Sequence, residues 1–155
     1  MCFSKKIYRK GITFPVISGK KIVFTNGCFD ILHPGHLHYL YKAKSYGEVL
    51  IVALNSDSSI KKLKGLKRPV NNFEFRSTML SYLHFVDLVV EFDSDTPLEL
   101  IQAISPNVLV KGADYSESQV VGADFVKSNG GQVVLVEFLK GFSSTEIIKA
   151  INKAT

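Results

Sequence analysis

Short apolar stretches alternate with stretches of helical character along most of this chain, and this alternation constrains the fold more than any other feature. The apolar stretches are rich in valine, isoleucine and leucine, and five strands are expected at residues 21–25, 48–55, 88–91, 108–111 and 132–139. Helices are expected at residues 35–46, 56–64, 72–82, 97–104 and 143–152, with a shorter one before residue 130. This order predicts an α/β fold, a doubly wound parallel five-stranded sheet with helices on both faces.

The size and composition of the chain fit one globular domain. It has 155 residues, of which 46% are hydrophobic, so a sizeable core is available. Residues 1–20 are interpreted as an N-terminal extension and residues 21–155 as a single domain. The two cysteines, the start without a leader-like apolar stretch and the shortness of the apolar runs together favour a cytoplasmic protein without a membrane-spanning segment. The formal charge of +5 suits an anionic partner but does not identify it.

Unusual residues follow four of the five predicted strands. In open parallel sheets, ligands bind outside the carboxyl ends of the strands. The polar, glycine-containing and basic segments fall at those ends, namely residues 26–36, 55–57, 111–115 and 141–145. The pattern therefore predicts one binding site at the carboxyl edge of the sheet.

Residues 25–36 combine a strand end, a glycine turn and the start of a helix. Gly27 lets the backbone approach a ligand closely, and the free N–H groups at the helix start favour an anion. Because His33 and His36 are three residues apart there, both imidazoles are expected to face one point and to donate hydrogen bonds to phosphate oxygens. Such donors would stabilise the charge that develops during nucleotidyl transfer, so this segment predicts a phosphate-handling centre.

The histidine pair also has two simpler interpretations, a polar helix end and a metal-binding pair. No third Cys, His or carboxylate stands at a familiar metal-ligand spacing, and no metal ligands are assigned. The chain contains neither G-x-x-x-x-G-K-[ST] nor G-x-G-x-x-G, so the P-loop and dinucleotide-binding hypotheses lose support.

The motif H-x-G-H, formed here by residues 33–36, resembles the signature of the HIGH-motif nucleotidyltransferase superfamily, whose fold is Rossmann-like. Within that group, the chain resembles the adenylyltransferase domain of the bifunctional heptose kinase/adenylyltransferase. The resemblance covers roughly residues 21–152 and rests on five segments in the same order: residues 24–33, 52–57, 63–70, 109–115 and 143–145. One such motif is weak evidence, whereas five in register are specific.

This resemblance implies a reaction and its participants. ATP and D-glycero-D-manno-heptose 1-phosphate would give ADP-heptose and pyrophosphate, with Mg²⁺ as the metal that accompanies ATP, and the product would serve lipopolysaccharide core biosynthesis. The chain would act as a stand-alone version whose kinase is a separate protein. A homodimer is expected, and neither nucleic acid nor a membrane is an expected partner.

The resemblance, together with the positions of residues after the strand ends and in the basic loop, assigns roles to individual residues. The residues expected to act in catalysis are His33, His36 and Lys64. Those expected to bind the nucleotide are Asn26, Gly27, Cys28, Phe29, Lys111, Gly112, Asp114, Ser143, Ser144 and Thr145. Those expected to bind the acceptor substrate are Asn55, Asp57, Arg68 and Arg76.

Several of these assignments have structural rivals. Asn55 and Ser143 are also suited to capping a helix, and Arg76 to an exposed helix surface. Asp114 is expected to contact ribose or sugar hydroxyls, or magnesium through water. Asp30 is interpreted as a structural residue that caps a turn or orients a histidine.

Two departures from the family pattern bear on the substrate. Ala113 stands where heptose enzymes often carry a second glycine, and residues 136–140 lack the arginine that glycerol-3-phosphate cytidylyltransferases carry; the latter favours ATP over CTP. A glycerol-3-phosphate cytidylyltransferase and an FMN adenylyltransferase remain alternatives. A third alternative is a non-catalytic module that binds nucleotides or RNA, although the basic run at residues 61–68 has none of the aromatic residues that bases stack on.

Overall fold

A computed structural model describes residues 3–11, 17–137 and 139–154 of the chain. Six parallel strands form one sheet in the order β1-β4-β3-β2-β5-β6. The strands are β1 (Ile7–Tyr8), β2 (Ile22–Gly27), β3 (Val49–Asn55), β4 (Leu88–Phe92), β5 (Val108–Gly112) and β6 (Gln132–Val136). The helices are α1 (Pro34–Lys44), α2 (Asp57–Lys64), α3 (Phe73–Tyr82), α4 (Leu98–Ile104), α5 (Ala123–Ser128) and α6 (Ser144–Ala154). Two 3₁₀ turns, Phe3–Lys6 and Glu117–Gln119, complete the elements of the described residues.

The sheet carries an apolar layer on each face, as the strand pattern predicts. Val23 and Val52 point to one face, where they pack with Leu40 of α1 and Leu80 of α3. Their neighbours Phe24 and Ile51 point to the other face, where α4 and α5 supply Ile101, Ile104, Ala123 and Val126. Since all seven residues of β3 are buried, this strand lies in the middle of a two-sided core. The α/β fold with helices on both faces is thus confirmed.

The expected number of strands is wrong by one. Ile7 and Tyr8 form an additional edge strand, which pairs in parallel with Val89 and Val90 of β4. A strand of two residues is too short to show a recognisable apolar pattern, because the alternation of a strand needs at least four residues to be seen. Part of the segment interpreted as an N-terminal extension therefore belongs to the sheet, while residues 12–16 lie outside the described residues.

The strand order reverses next to β2. The chain proceeds from β2 to β3 and β4 on one side and then crosses back to place β5 and β6 on the other side of β2. At such a switch point the loops leave in opposite directions and open a crevice at the carboxyl ends of the strands. The crevice between β2 and β5 is therefore the expected location of the site. Within the described ranges, no helix combines the length and apolar character needed to cross a membrane.

Candidate active site

A cavity of about 580 Å³ opens at the carboxyl ends of β2, β3, β4 and β5. Its volume lies in the range of small-molecule sites, roughly 300–1,000 Å³. Four strands contribute residues to its wall, with Gly27 at the end of β2, Asn55 at the end of β3, Phe92 at the end of β4 and Gly112 at the end of β5. The switch point of the sheet therefore carries the cavity that the strand order predicts.

The turn after β2 is compact and strained. A Cβ atom added to Gly27 would lie 2.9 Å from the ring of Phe29, which shows how closely this ring covers the strand end. Phe29 itself has φ of +43°, a left-handed conformation that is uncommon for a residue with a bulky side chain. Its ring is buried and meets the ring of His36 edge-on at a centroid distance of 5.1 Å. The turn thus holds one wall of the cavity against helix α1.

His33 and His36 form a stacked pair at the start of α1. Their ring centroids lie 3.7 Å apart with an interplanar angle of 19°. His33 is the N-cap of α1, and its Nδ1 accepts a hydrogen bond of 3.3 Å from the backbone N–H of His36. Since Nδ1 is an acceptor, His33 is neutral with its proton on Nε2.

Only one member of the histidine pair lines the cavity. His36 does so, whereas His33 is buried behind it. The capping role turns Nδ1 of His33 toward the helix backbone, and a contact of both imidazoles with phosphate stays a prediction. Gly35 makes this stacking feasible, since a Cβ atom at this position would lie 3.0 Å from Nδ1 of His33.

Both histidines are neutral near pH 7. Burial, together with the nearby charges of His33 and Lys64, lowers the pKa of His36 to about 4, although a hydrogen bond to the backbone of Ile31 opposes the shift. Burial also lowers the pKa of His33 below its ordinary value. Among the described residues, Nδ1 of His36 is buried without a hydrogen-bond partner. Since a buried polar atom without a partner is costly, this nitrogen is suited to meeting a ligand.

Lys111 supplies the positive charge on the β5 side of the cavity. Its Nζ donates a hydrogen bond to Oδ1 of Asn26 across the switch point and lies 5.7 Å from the ring centroid of Tyr115. Burial lowers the pKa of Lys111 to about 8, and the neighbouring Asp114 carboxylate opposes this shift. The ammonium group is therefore mostly protonated at neutral pH, where it presents a partly desolvated cation to the cavity.

Asp30 anchors the loop between α2 and α3 beneath the site. Its carboxylate accepts hydrogen bonds from the backbone N–H groups of Val70 and Asn71 and from Nε of Arg68 at 2.6 Å. Burial alone would raise the pKa of Asp30, but these hydrogen bonds and the Arg68 charge hold it below its ordinary value. Asp30 thus fits the structural role expected from the sequence, and it holds Arg68 away from the cavity wall.

Arg76 is buried and holds several backbone segments together. It is 1% exposed, and its guanidinium donates to the backbone oxygens of Asn71, Cys28 and Asn55 and to Oδ1 of Asp57. The alternative of an exposed helix arginine is therefore wrong, whereas a contact of Arg76 with the substrate stays a prediction. Its donors tie the turn after β2 to the end of β3.

Helix α6 begins close to the histidine turn without entering the cavity. Oγ of Ser143 accepts a hydrogen bond of 3.1 Å from the backbone N–H of Glu146, and Oγ of Ser144 donates one of 3.2 Å to the backbone oxygen of Ile31. Ser143 therefore caps the helix, as one of its two predicted roles requires, and Ser144 links α6 to the loop that precedes His33.

The cavity brings together ten of the predicted site residues. These are Asn26, Gly27, Cys28, Phe29, His36, Asn55, Lys64, Lys111, Gly112 and Asp114. The others do not line it: His33, Asp57, Arg68, Arg76, Ser143, Ser144 and Thr145.

The sequence interpretation missed the wall that follows β4. Asp95, Thr96 and Pro97 line the cavity there, opposite Tyr115 and the residues 119–121 that follow β5. Ligands bind outside the carboxyl ends of parallel strands, and this rule applies to β4 as it does to the other strands. The position of these residues directly after a predicted strand was therefore the signal available in the sequence.

Known proteins resemble this chain in sequence and in fold. Residues 24–150 match the family model described as cytidylyltransferase-like. Two curated relatives carry the name bifunctional protein HldE: one from Campylobacter jejuni subsp. doylei is 56% identical over 96% of this chain, and one from Gluconobacter oxydans is 54% identical over 88% of it. The alignments cover 32% and 28% of those relatives, so this chain spans about a third of their length.

Two solved structures share the fold. The lipopolysaccharide core biosynthesis protein from Thermoplasma volcanium has a TM-score of 0.65 and 27% identity, covering 80% of this chain and 100% of its own. The pantoate-beta-alanine ligase from Francisella tularensis has a TM-score of 0.57 at 19% identity, covering 88% of this chain and 70% of its own, and this likeness concerns the fold alone.

The family match spans most of β2, the strands β3 to β6, the histidine turn and the first part of α6. It agrees with the superfamily indicated by the H-x-G-H motif, and the sequence resemblance is confirmed. This chain belongs to the cytidylyltransferase-like family.

Proposed function

We propose that the chain transfers AMP from ATP to D-glycero-D-manno-heptose 1-phosphate, giving ADP-heptose and pyrophosphate for lipopolysaccharide core biosynthesis. The observation that carries the proposal is the placement of His36, Lys64 and Lys111 around one cavity at the switch point of the sheet. Two likenesses support the choice of a heptose phosphate: the relatives are named HldE, and the Thermoplasma volcanium protein is a lipopolysaccharide core biosynthesis protein.

The two sides of the cavity suit different parts of the reaction. Lys111, Gly112 and Asp114 at the end of β5 would hold the nucleoside side of ATP, with Asp114 accepting hydrogen bonds from ribose hydroxyls. The N-terminal turn of α1 and His36 would meet the α-phosphate, where backbone N–H groups and the helix dipole favour an anion. Lys64 lines the same cavity as His36, so its ammonium group would lie near the same phosphates.

The chemical step needs positioning and charge stabilisation more than proton transfer. An oxygen of the acceptor phosphate attacks the α-phosphorus, the bond to the bridging oxygen breaks, and the electron pair leaves with pyrophosphate. Since a sugar phosphate is already anionic near pH 7, the attacking oxygen needs no general base. His36 would turn its unpartnered Nδ1 toward the oxygen on which charge develops, and it would donate there as the tautomer that carries its proton on Nδ1 instead of on the nitrogen that bonds Ile31. Lys64 would neutralise part of that charge.

Magnesium would arrive with ATP rather than occupy a dedicated protein site. Among the described residues there is no group of three His, Cys, Asp or Glu side chains that could hold a metal ion. Magnesium in nucleotide sites is held mainly by phosphates with one or two carboxylates, and Asp114 on the cavity wall offers such a carboxylate. When bound, the ion would neutralise charge on the triphosphate.

Pyrophosphate release tests the proposal. ATP and CTP would each be offered with heptose 1-phosphate, glycerol 3-phosphate and FMN in the presence of Mg²⁺, for the wild type and for His36→Ala. His38→Ala is the matched control, because His38 lies on the same helix, is exposed and does not line the cavity. Turnover only with ATP and heptose 1-phosphate, abolished in His36→Ala and retained in His38→Ala, would support the proposal. Turnover with another pair would keep the mechanism and reject the acceptor.

The cellular location and the oligomeric state of the enzyme are part of the same proposal. The resemblance implies a cytoplasmic homodimer, for which sedimentation of the purified chain is the direct measurement. A single species with the mass of one chain at micromolar concentration would argue against the dimer.

A further inference from the structure

The wall after β4 has no role in the reaction as described so far. Phe92 ends β4, and Asp95, Thr96 and Pro97 follow it in the loop to α4. All four line the same cavity as His36 and Lys111. In the sheet, Phe92 pairs with Asn55 of β3, a predicted acceptor contact.

The sheet sets the distance between this wall and the nucleotide side. β4 and β5 are separated by β3 and β2, which makes three strand spacings, or about 14 Å. The histidine turn after β2 lies between them, so the α-phosphate position is central. An acceptor that approaches this centre from the side opposite Lys111 and Asp114 must pass along the ends of β3 and β4.

Charge divides the cavity into regions. Lys64 lies near the histidine turn, because its charge affects the pKa of His36. Lys111 lies at the end of β5 and contacts Asn26. The wall after β4 carries instead the carboxylate of Asp95 and the hydroxyl of Thr96. A carboxylate repels a phosphate but accepts hydrogen bonds from hydroxyl groups, so this end suits an uncharged polyhydroxylated group.

The two aspartates of this loop, Asp93 and Asp95, differ in their contacts. Asp93 accepts hydrogen bonds from the hydroxyls of Ser56 and Ser58 and pairs with Nζ of Lys10 at 3.2 Å, which fixes the loop to α2 and to the N-terminal segment. Within the described part of the chain, the side chains of Asp95 and Thr96 make no hydrogen bond or ion pair, and both are exposed at the cavity. The loop is thus anchored by one aspartate and presents the other to a ligand.

We propose that Asp95 and Thr96, with Phe92 as an apolar floor, form the subsite for the hydroxyl-bearing part of the acceptor sugar. The inference rests on the proposed function and deepens it, because it separates the sugar from its phosphate within the acceptor region. The phosphate lies toward Asn55 and the histidine turn, while the sugar hydroxyls bind Asp95 and Thr96.

Steady-state kinetics of Asp95→Asn with Mg²⁺, ATP and heptose 1-phosphate test the subsite. We expect KM for the sugar phosphate to rise roughly 10- to 100-fold, the range for losing hydrogen bonds to a charged group. KM for ATP and the Mg²⁺ concentration for half-maximal rate should stay unchanged. Glu99→Gln is the matched control, since Glu99 is an exposed carboxylate of the adjoining helix outside the cavity wall, and its kinetics should equal those of the wild type.

Thr96→Val provides a second variant, which keeps the shape of the side chain and removes its hydroxyl. It should raise KM for the sugar phosphate by roughly 2- to 10-fold, because it removes one neutral hydrogen bond. If Asp95→Asn does not fold, Thr96→Val tests the subsite by itself.

Three results would overturn the subsite: an unchanged KM for the sugar phosphate, a lower one, which would put the phosphate beside residue 95, or a rise confined to KM for ATP or to the Mg²⁺ requirement. The proposed function is tested separately by the wild type. Its failure with heptose 1-phosphate would reject both statements before any variant is measured.

Discussion

Two helices of this chain begin at the carboxyl edge of the sheet with residues suited to phosphate, yet their surroundings differ. At the start of α1, His33 and Gly35 are buried and His36 lines the cavity. Helix α6 has no buried residue along its length, and the residues at its start lie outside the cavity wall. The same type of sequence signal therefore leads to a built site in one case and to a surface helix in the other.

The difference lies in what supports each helix start. Leu40 and Ala43 fix α1 to the sheet, and Phe29 packs on its first turn, so the donors there are held before a ligand arrives. Donors fixed in advance stabilise developing charge without reorganisation during the reaction. The start of α6 is attached to the same loop by the hydrogen bond from Ser144 to Ile31, and no buried side chain of the helix adds to this attachment.

Arg76→Ala should loosen the turn after β2, which leads into α1, and give the largest effect. The substitution removes the donors to the backbone oxygens of Cys28 and Asn55 and leaves a cavity in their place. Loss of buried charged hydrogen bonds and packing predicts a decrease of about 3–5 kcal/mol in the free energy of unfolding. Chemical denaturation monitored by circular dichroism measures it.

The conservative variant Arg76→Lys sharpens this result. Lysine keeps the charge but lacks the planar fork that joins several acceptors, so most of the loss should persist. If instead both variants are as stable as the wild type, while KM for the acceptor rises, the predicted contact of Arg76 with the substrate would be supported.

The histidine pair offers a comparison within α1 itself. His36→Asn removes the donor that lines the cavity and should lower kcat by about 10²- to 10³-fold, the effect of losing one oriented donor to a developing charge. His33→Asn retains an N-cap residue and removes a ring that lies behind the site, so its loss of kcat should be smaller. Single-turnover rates separate this chemical effect from substrate binding, and equal losses would indicate that both imidazoles contact the phosphates.

The pH dependence of stability probes the burial of the same pair. The pKa of His36 is about 4 in the folded chain, below the ordinary 6.5, so the unfolded chain binds more protons between these values. Stability contributed by neutral His36 is thus fully present above pH 6.5 and is lost as the pH falls toward 4. We expect a loss of about 2 kcal/mol in the free energy of unfolding by pH 5.

His36→Asn isolates this contribution from the other groups that titrate in acid. Between pH 7 and pH 5 the free energy of unfolding of the wild type should fall by about 2 kcal/mol more than that of the variant. Urea denaturation at both pH values measures this difference. A constant difference would mean that His36 is solvated and titrates normally, contrary to the buried stacking on His33.

Much of the fold could be predicted because it follows from local pattern. The seven buried residues of β3 form a continuous apolar run, and Asn72 caps α3 through the backbone N–H of Phe75 as its position indicates. The site residues near strand ends, such as Gly27 and Lys111, were predicted by the same reasoning.

The remaining features depend on contacts between distant residues. The burial of Arg76 results from acceptors 21 and 48 residues away, which no local pattern reveals. The two-residue edge strand forms because Ile7 and Tyr8 meet β4, about 80 residues later in the chain. The stacking of His33 behind His36 likewise depends on the cap geometry and on Gly35, not on the spacing of the motif.

Ser143→Ala tests the start of α6 and should have the smallest effect. Loss of the N-cap hydrogen bond to Glu146 predicts a decrease of about 1 kcal/mol in the stability of this helix, seen as faster hydrogen exchange of its first amides. Ser143→Asn should restore the protection, because asparagine caps equally well. If α6 only packs beside the histidine turn, KM for ATP stays at the wild-type value in both variants. A rise of KM for ATP in Ser143→Ala that Ser143→Asn does not reverse would show a direct contact of the hydroxyl with the triphosphate, and the two helix starts would then share one function despite their different burial.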